Sequence, residues 1–150
     1  MTTLSALPTE HRNQLMQSAR EVNFPQGTRL FDESGRIENF WVVRTGVVTL
    51  DIRVPGRRSP VIESLSHGEL VGWSWLYPPS VWQMGASATT PVRALEFDAA
   101  RVRRMCEADP WFGYEIAIWV GSVLARRLQS ARTRLLDLYA PYGSGVPARG

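Results

Sequence analysis

The spacing of hydrophobic positions changes twice along this chain and divides it into three parts. In residues 8–19, "PTEHRNQLMQSA", a Pro start is followed by Leu15, Met16 and Ala19 at helical spacing, which predicts a short N-terminal helix. His11 within it reads as a solvated surface residue. From Val22 to Phe97 the apolar runs are short, β-rich and separated by turn residues. "EVNF" ends at Pro25-Gln26-Gly27, "TRLF" at Asp32-Glu33-Ser34-Gly35, "NFWVVRTG" at Gly46, "VVTLDIRV" at Pro55-Gly56, and "SPVIESL" at Ser66-His67-Gly68. "ASATTPVRALEFD" closes the region. About six to eight strands at this spacing predict an antiparallel sandwich or barrel. Gly27, Gly46 and Gly68 fall where turns call for positive φ.

Beyond Asp98 the period becomes helical again. "DAARVRRMCEAD" carries Asp98 as a helix cap and Val102 and Met105 as an apolar pair. Pro110 suits the first position of a second helix. From Trp111 to Tyr139 only Gly113 and Gly121 interrupt good helix formers, and 29 residues would span roughly 44 Å. Ala117, Val120, Leu124, Leu128, Ala131, Leu135 and Leu138 follow a 3-4 alternation like a coiled-coil seam. A helix this long should overshoot its domain, so the seam predicts a homodimer through the long C-terminal helix. The reading is one domain over residues 1–139: N-terminal helix to 21, strands over 22–98, helices over 99–139. A flexible tail is expected over 140–150.

Composition adds limits. The chain has 150 residues, 44% of them hydrophobic, which suits one domain with a real core. No apolar run is long enough for a membrane helix, and the N-terminus lacks the pattern of a secretory signal. One cysteine, Cys106, cannot pair internally, which fits a reducing cytoplasm. All 17 basic residues are Arg and the net charge is +3. They are dispersed, so nucleic-acid binding finds little support. Arg126, Arg127, Arg132 and Arg134 read as a solvated flank of the seam, and Arg101, Arg103 and Arg104 as an exposed helix face.

The order of elements, and three local stretches, resemble the cyclic nucleotide-binding domain of the Crp/Fnr regulator family. "FPQGTRLFDESGRIENFWVVRTGVVTL" is similar to the family's opening strands and turns. "SLSHGELVG" resembles the approach to its phosphate-binding cassette, and "VLARRLQSAR" its subunit-pairing helix. The resemblance covers about residues 4–139. It implies a mainly β fold: an antiparallel double-stranded β-helix, or jelly roll, of about eight strands. A short N-terminal helix and a long C-terminal helix flank it. Regulators of this family carry a helix-turn-helix domain after the long helix. The chain ends eleven residues past Tyr139, so sequence-specific DNA binding is not expected.

The cassette, "GELVGWSWLYPPSVWQMGASA", departs from the family. There the resemblance implies a Gly, a Glu that grips a ribose hydroxyl, a short helix whose N–H groups meet the phosphate, and an Arg that neutralises it. Gly72 matches the Gly. Trp73 stands in the Glu position, Ser74, Trp75 and Leu76 can form the short helix, and Trp82 or Gln83 replaces the Arg, followed by Met84. A hydrogen bond to a charged group contributes roughly 1.5–3 kcal/mol. A buried phosphate left without its cation costs on the order of 3–5 kcal/mol. Losing both positions would weaken cyclic nucleotide binding about a thousandfold or more. Trp73, Trp75 and Trp82 read best as packing that replaces a ligand, so cyclic nucleotide binding is disfavoured and no cofactor is expected.

Other chemistry finds no residue set. "GWSWL" lacks the second Gly of a hydrolase elbow. His11 and His67 lie on different elements, too few for a metal site. No catalytic residue and no metal ligand is identified. The reading is therefore a noncatalytic regulatory or assembly module with a degenerate cassette, acting through a protein partner, with no membrane contact. The alternative is a sensor that binds cAMP, cGMP or another anionic metabolite in a remodelled pocket.

Overall fold

A computed structural model describes residues 3–78 and 80–143. Among the described residues there are eight strands: β1 Arg20–Phe24, β2 Arg29–Phe31, β3 Asn39–Thr45, β4 Val48–Asp51, β5 Val61–Leu65, β6 Leu70–Val71, β7 Gly85–Ala88 and β8 Val92–Asp98. They form two four-stranded antiparallel sheets, ordered β1-β8-β3-β6 and β2-β7-β4-β5. This is the expected jelly roll flanked by helices. The last β-rich run holds two strands, because Thr89–Pro91 turns the chain between β7 and β8. Gly27, Gly46 and Gly68 adopt φ of 90°, 91° and 81°, as their turns require.

β3 shows why these strands read as apolar runs rather than as clean alternation. Both of its faces are covered. Phe40 and Val42 join a cluster with the helices, whereas Trp41 and Val43 face the roll interior between the sheets. The protein thus has two cores, one inside the roll and one beneath the helices.

Three helices build the second core: α1 Thr9–Met16, α2 Ala99–Ala108 and α3 Pro110–Gly143. Asp98 caps α2 by accepting from the Arg101 N–H at 3.1 Å, as expected. Asp109 caps α3 by accepting from the Phe112 N–H at 3.2 Å, and its other oxygen accepts from Gln14 Nε2 at 3.2 Å, tying α1 to the start of α3. The hydrogen bond from Gln14 is the main reason the Asp109 carboxyl is held below the usual carboxylate range. His11 is not solvated. It is 4% exposed and tilts against Phe112, because it lies one turn before the buried Leu15 on the same helix face.

α3 has 34 residues and a length of about 51 Å. It continues through Gly143, past the expected end at Tyr139; residues 144–150 of the expected tail lie outside the described residues. Its first half packs on the roll through Phe112, Ile116, Trp119, Val120 and Val123, all buried. This corrects the expected seam. Val120 is fully buried in its own domain, and Ala117 and Leu124 are half-buried, with Leu124 packed on the helix-side core. Only Leu128, Ala131, Leu135 and Leu138 of that set are exposed. The physical reason is that the 3-4 pattern also fits the face that closes the roll. The outward stripe of α3 is a different one: Trp111, Tyr114 and Ile118, then Gly121 and Ala125, then Leu128, Leu135 and Tyr139.

Candidate ligand site

The cassette follows β6, which ends at Val71. Gly72 leaves the strand with φ of 96°, a conformation that favours glycine. Ser74, Trp75 and Leu76 then form a turn, closed by a bond from the Leu76 N–H to the Trp73 carbonyl at 3.2 Å. The short helix is thus reduced to a single turn. Trp75 points toward the helix-side core. It is 1% exposed and stacks on Phe40 with ring centroids 4.3 Å apart, and Phe40 stacks in turn on Phe97. Its indole N–H donates to the Gly72 carbonyl at 3.1 Å, and its own carbonyl accepts from Arg103 Nη1 at 2.6 Å. Arg103 therefore ties α2 to this turn and is not a solvated side chain.

Trp82 points the other way, into the roll. It is 3% exposed and stacks on Phe31 at 3.9 Å between centroids, with Trp41 beyond. Its backbone is pinned to the β2–β3 loop: the Trp82 carbonyl accepts from the Ser34 N–H at 2.7 Å, and its N–H donates to the Gly35 carbonyl at 3.2 Å. The indole lies directly against Gly72, so a Cβ there would sit 2.6 Å from two of its ring carbons. What remains of the pocket among Gly72, Trp73, Ser74, Trp82, Gln83 and Met84 is a void of about 10 Å³. Trp73 is half-buried at its rim with Tyr77 beside it, and Gln83 is exposed. Six of the eight residues expected at the cassette line this void. Trp75 and Leu76 pack instead on the helix-side core.

One residue at this void was misread from the sequence. Arg127 of α3, expected on a solvated flank, lines the void from the helix side. It follows Val123 by one turn, so it extends the inward stripe of Phe112, Ile116, Val120 and Val123. That spacing was the signal. Its Nη2 donates to the Leu70 carbonyl, and its Nη1 is buried with no hydrogen-bond partner. Burial pulls its pKa down to about 10, against the pull of Glu69 and Glu63. Neither Arg58 nor Arg93, the basic residues nearest in sequence, lines the void. Arg93 pairs with Glu21 instead, at 3.3 Å. Arg29 is also committed elsewhere, to Asp51 at 2.6 and 3.0 Å and to Asp32 at 2.8 Å.

Beside the void, a cleft of about 270 Å³ runs between the β4–β5 pair and the distal part of α3. Leu50, Ile52, Ile62, Met84, Leu135 and Leu138 make it apolar, with Arg127, Glu63 and Arg134 at its polar positions. Arg134 Nη1 donates to the Val61 carbonyl at 3.1 Å and fastens α3 to β5.

A two-sheet roll with a glycine-led turn at its mouth and a long helix across it defines a class of ligand-sensing domains. This chain belongs to the cyclic nucleotide-binding domain family, which matches residues 21–109. It is 27% identical over 124 residues to the CRP-like cAMP-activated global transcriptional regulator of Mycobacterium tuberculosis. That match takes in 83% of this chain, and the chain spans about half (54%) of the regulator's length. Among solved structures, a candidate cyclic nucleotide-binding protein of Geobacter metallireducens GS-15 superposes with a TM-score of 0.72 at 27% identity, over 83% of this chain and 89% of that one. The N-terminal domain of a transcriptional regulator from Streptomyces coelicolor A3(2) does so at 0.66 and 25%, over 87% and 91%. Among the described residues no helix is long and apolar enough to cross a membrane, and no cluster of three or more His, Cys, Asp or Glu could hold a metal ion.

Proposed function

We propose that this chain is a noncatalytic regulatory module whose phosphate cradle is closed by its own Trp82. The observation that carries this reading is the indole packed against Gly72, leaving a void of about 10 Å³. Such a void holds at most one water. A cyclic phosphate would have to displace a buried ring stacked on Phe31. It would also meet no Glu at position 73 and no Arg at 82 or 83. The relatives support the regulatory role, and the eroded cassette sets this chain apart from the family's ligand chemistry. Titration calorimetry with cAMP and cGMP should show no binding tighter than about 10 μM; tighter binding would sink the closed-cradle reading. The folded Trp73→Glu, Trp82→Arg double variant should gain cAMP binding, because the surrounding turn keeps its form.

Pairing with a second copy through α3 is part of the same reading, with output passed to a protein partner. Trp111 is 65% and Leu128 71% exposed, and the stripe between them repeats at 3-4 spacing. A Cβ at Gly121 would meet nothing within 4 Å, so the helix can be approached closely there. Light scattering at micromolar concentration should give a dimer. Ile118→Glu with Leu128→Glu should give a folded monomer, and a monomeric wild type would remove the pairing.

A further inference from the structure

We infer that a separate cleft, between the segment before α1 and the turn from β5 to β6, is a binding site for a phosphomonoester with a small apolar body, held by Arg12 and Arg44. The cleft shares no lining residue with the void at Gly72. It therefore stands whether or not Trp82 closes the cradle.

Two backbone devices build this cleft. The first is at Gly68, which takes φ of 81°. Thr3 lies so close that a Cβ on Gly68 would come within 2.9 Å of the Thr3 Cβ. The Leu4 N–H donates to the Gly68 carbonyl at 2.7 Å, so the segment before α1 is clasped to the turn. The second device is a bulge in β3. Val43 pairs with Ala94 and Thr45 with Arg93, which makes Arg44 an extra residue with no partner on β8. Bulges of this kind re-aim a side chain out of the ladder. The Arg44 carbonyl accepts from His67 Nδ1 at 2.9 Å, and that bond ties the bulge to the turn.

The cleft has a volume of about 290 Å³, at the small end of ligand pockets. Val42 and Leu95 of the helix-side core form its floor, with Leu4 and Met16 packed against them. Arg12, Arg44 and His67 are its basic residues, and no Asp or Glu lines it. Glu69, the carboxylate nearest Gly68 in sequence, is turned to the Ser66 N–H at 3.0 Å. Arg44 is exposed, and among the described residues its side chain has no hydrogen bond or ion pair. Arg12 spends Nη2 on the Leu7 carbonyl at 3.2 Å, which holds its guanidinium at the cleft wall.

Two arginines with no acid between them leave two formal positive charges. A phosphomonoester carries about −1.5 to −2 at pH 7, and its oxygens match the guanidinium fork. A carboxylate would cancel only one of the two charges. A nucleotide matches badly, because the apolar floor offers no partner to the polar edges of a base. A ligand here would hold α1 and the β5–β6 turn together, and that turn runs through β6 to Gly72.

The test is calorimetry on the full chain with benzyl phosphate, against benzyl alcohol and inorganic phosphate. Benzyl phosphate should bind at least about tenfold more tightly than either, because each comparator lacks one half of the contact. Arg44→Gln should weaken it by at least about tenfold and leave the melting temperature unchanged, since the side chain it shortens is exposed and bonded to nothing. Ser5→Trp, at an exposed lining position, should block it. The His67 ring protons, assigned with His67→Asn, should shift in the wild-type NMR spectrum as benzyl phosphate is added. The inference is overturned if benzyl phosphate does not bind saturably, or if its affinity survives in Arg44→Gln or in Ser5→Trp. Equal binding of inorganic phosphate would show anion pairing at surface arginines without a cleft, and would overturn it too. Unmoved His67 signals at saturation would place the ligand elsewhere and overturn it as well.

Discussion

Trp82→Ala should destabilise the protein by about 3–5 kcal/mol, the usual cost of truncating a fully buried Trp. In urea that is a drop in the midpoint on the order of 2 M. The side chain is buried inside the roll, stacked on Phe31 and pressed against Gly72. A partner substitution makes the test specific to the cradle. Gly72→Ala is opposed twice in the wild type: by the positive φ of 96°, and by collision of the new methyl group with the indole. In the Trp82→Ala background only the first remains. Gly72→Ala should therefore be milder there by about 1–3 kcal/mol, the coupling expected of residues in contact. Equal costs in both backgrounds would show that the ring does not press on Gly72.

Trp75→Ala should cost a similar amount, about 3–5 kcal/mol, although its ring sits in the other core. It loses the stack on Phe40 and the bond to the Gly72 carbonyl, and it loosens the turn that Arg103 holds from α2. Trp75→Phe separates these contributions. It keeps an aromatic face for Phe40 and gives up the indole N–H, so it should cost about 1 kcal/mol for the lost bond, plus a small packing loss. Denaturation followed by far-UV circular dichroism reads both variants without relying on the Trp signal that the substitutions remove. A Trp75→Ala protein as stable as the wild type would show that the turn is not anchored through this residue.

The two tryptophans explain what the sequence made legible and what it did not. Turn residues marked the strand boundaries well, because Gly and Pro punctuate local structure whatever the tertiary context. The departure of positions 73 and 82–83 from the family pattern was visible too, since missing charges are a matter of residue type. That Trp75 and Trp82 would face opposite cores was not visible, because both are apolar and the turn between them has no period. The error at Arg127 has a related origin. Residue type suggested solvent, whereas its one-turn spacing from Val123 placed it inward. His11 was misjudged in the same way, with Leu15 as the ignored neighbour. On α3, two stripes share the 3-4 rhythm. The burial of Val120 shows that the sequence pattern had merged the face on the roll with the face on solvent.

The strand order has a bearing on how the protein is made. β8 lies between β1 and β3, and β7 between β2 and β4, so the middle strand of each trio is the one synthesised last. Arg20 waits for Glu96, and Arg29 for Ser87, before either early strand has its neighbour. On the ribosome, β1 and β2 emerge with open edges that nothing yet made can cover. The pairing of β1 and β2 with their neighbours can be made only once residues 85–98 are free of the exit tunnel. Chains cut short before residue 85 would leave β1 and β2 without the strands they pair with.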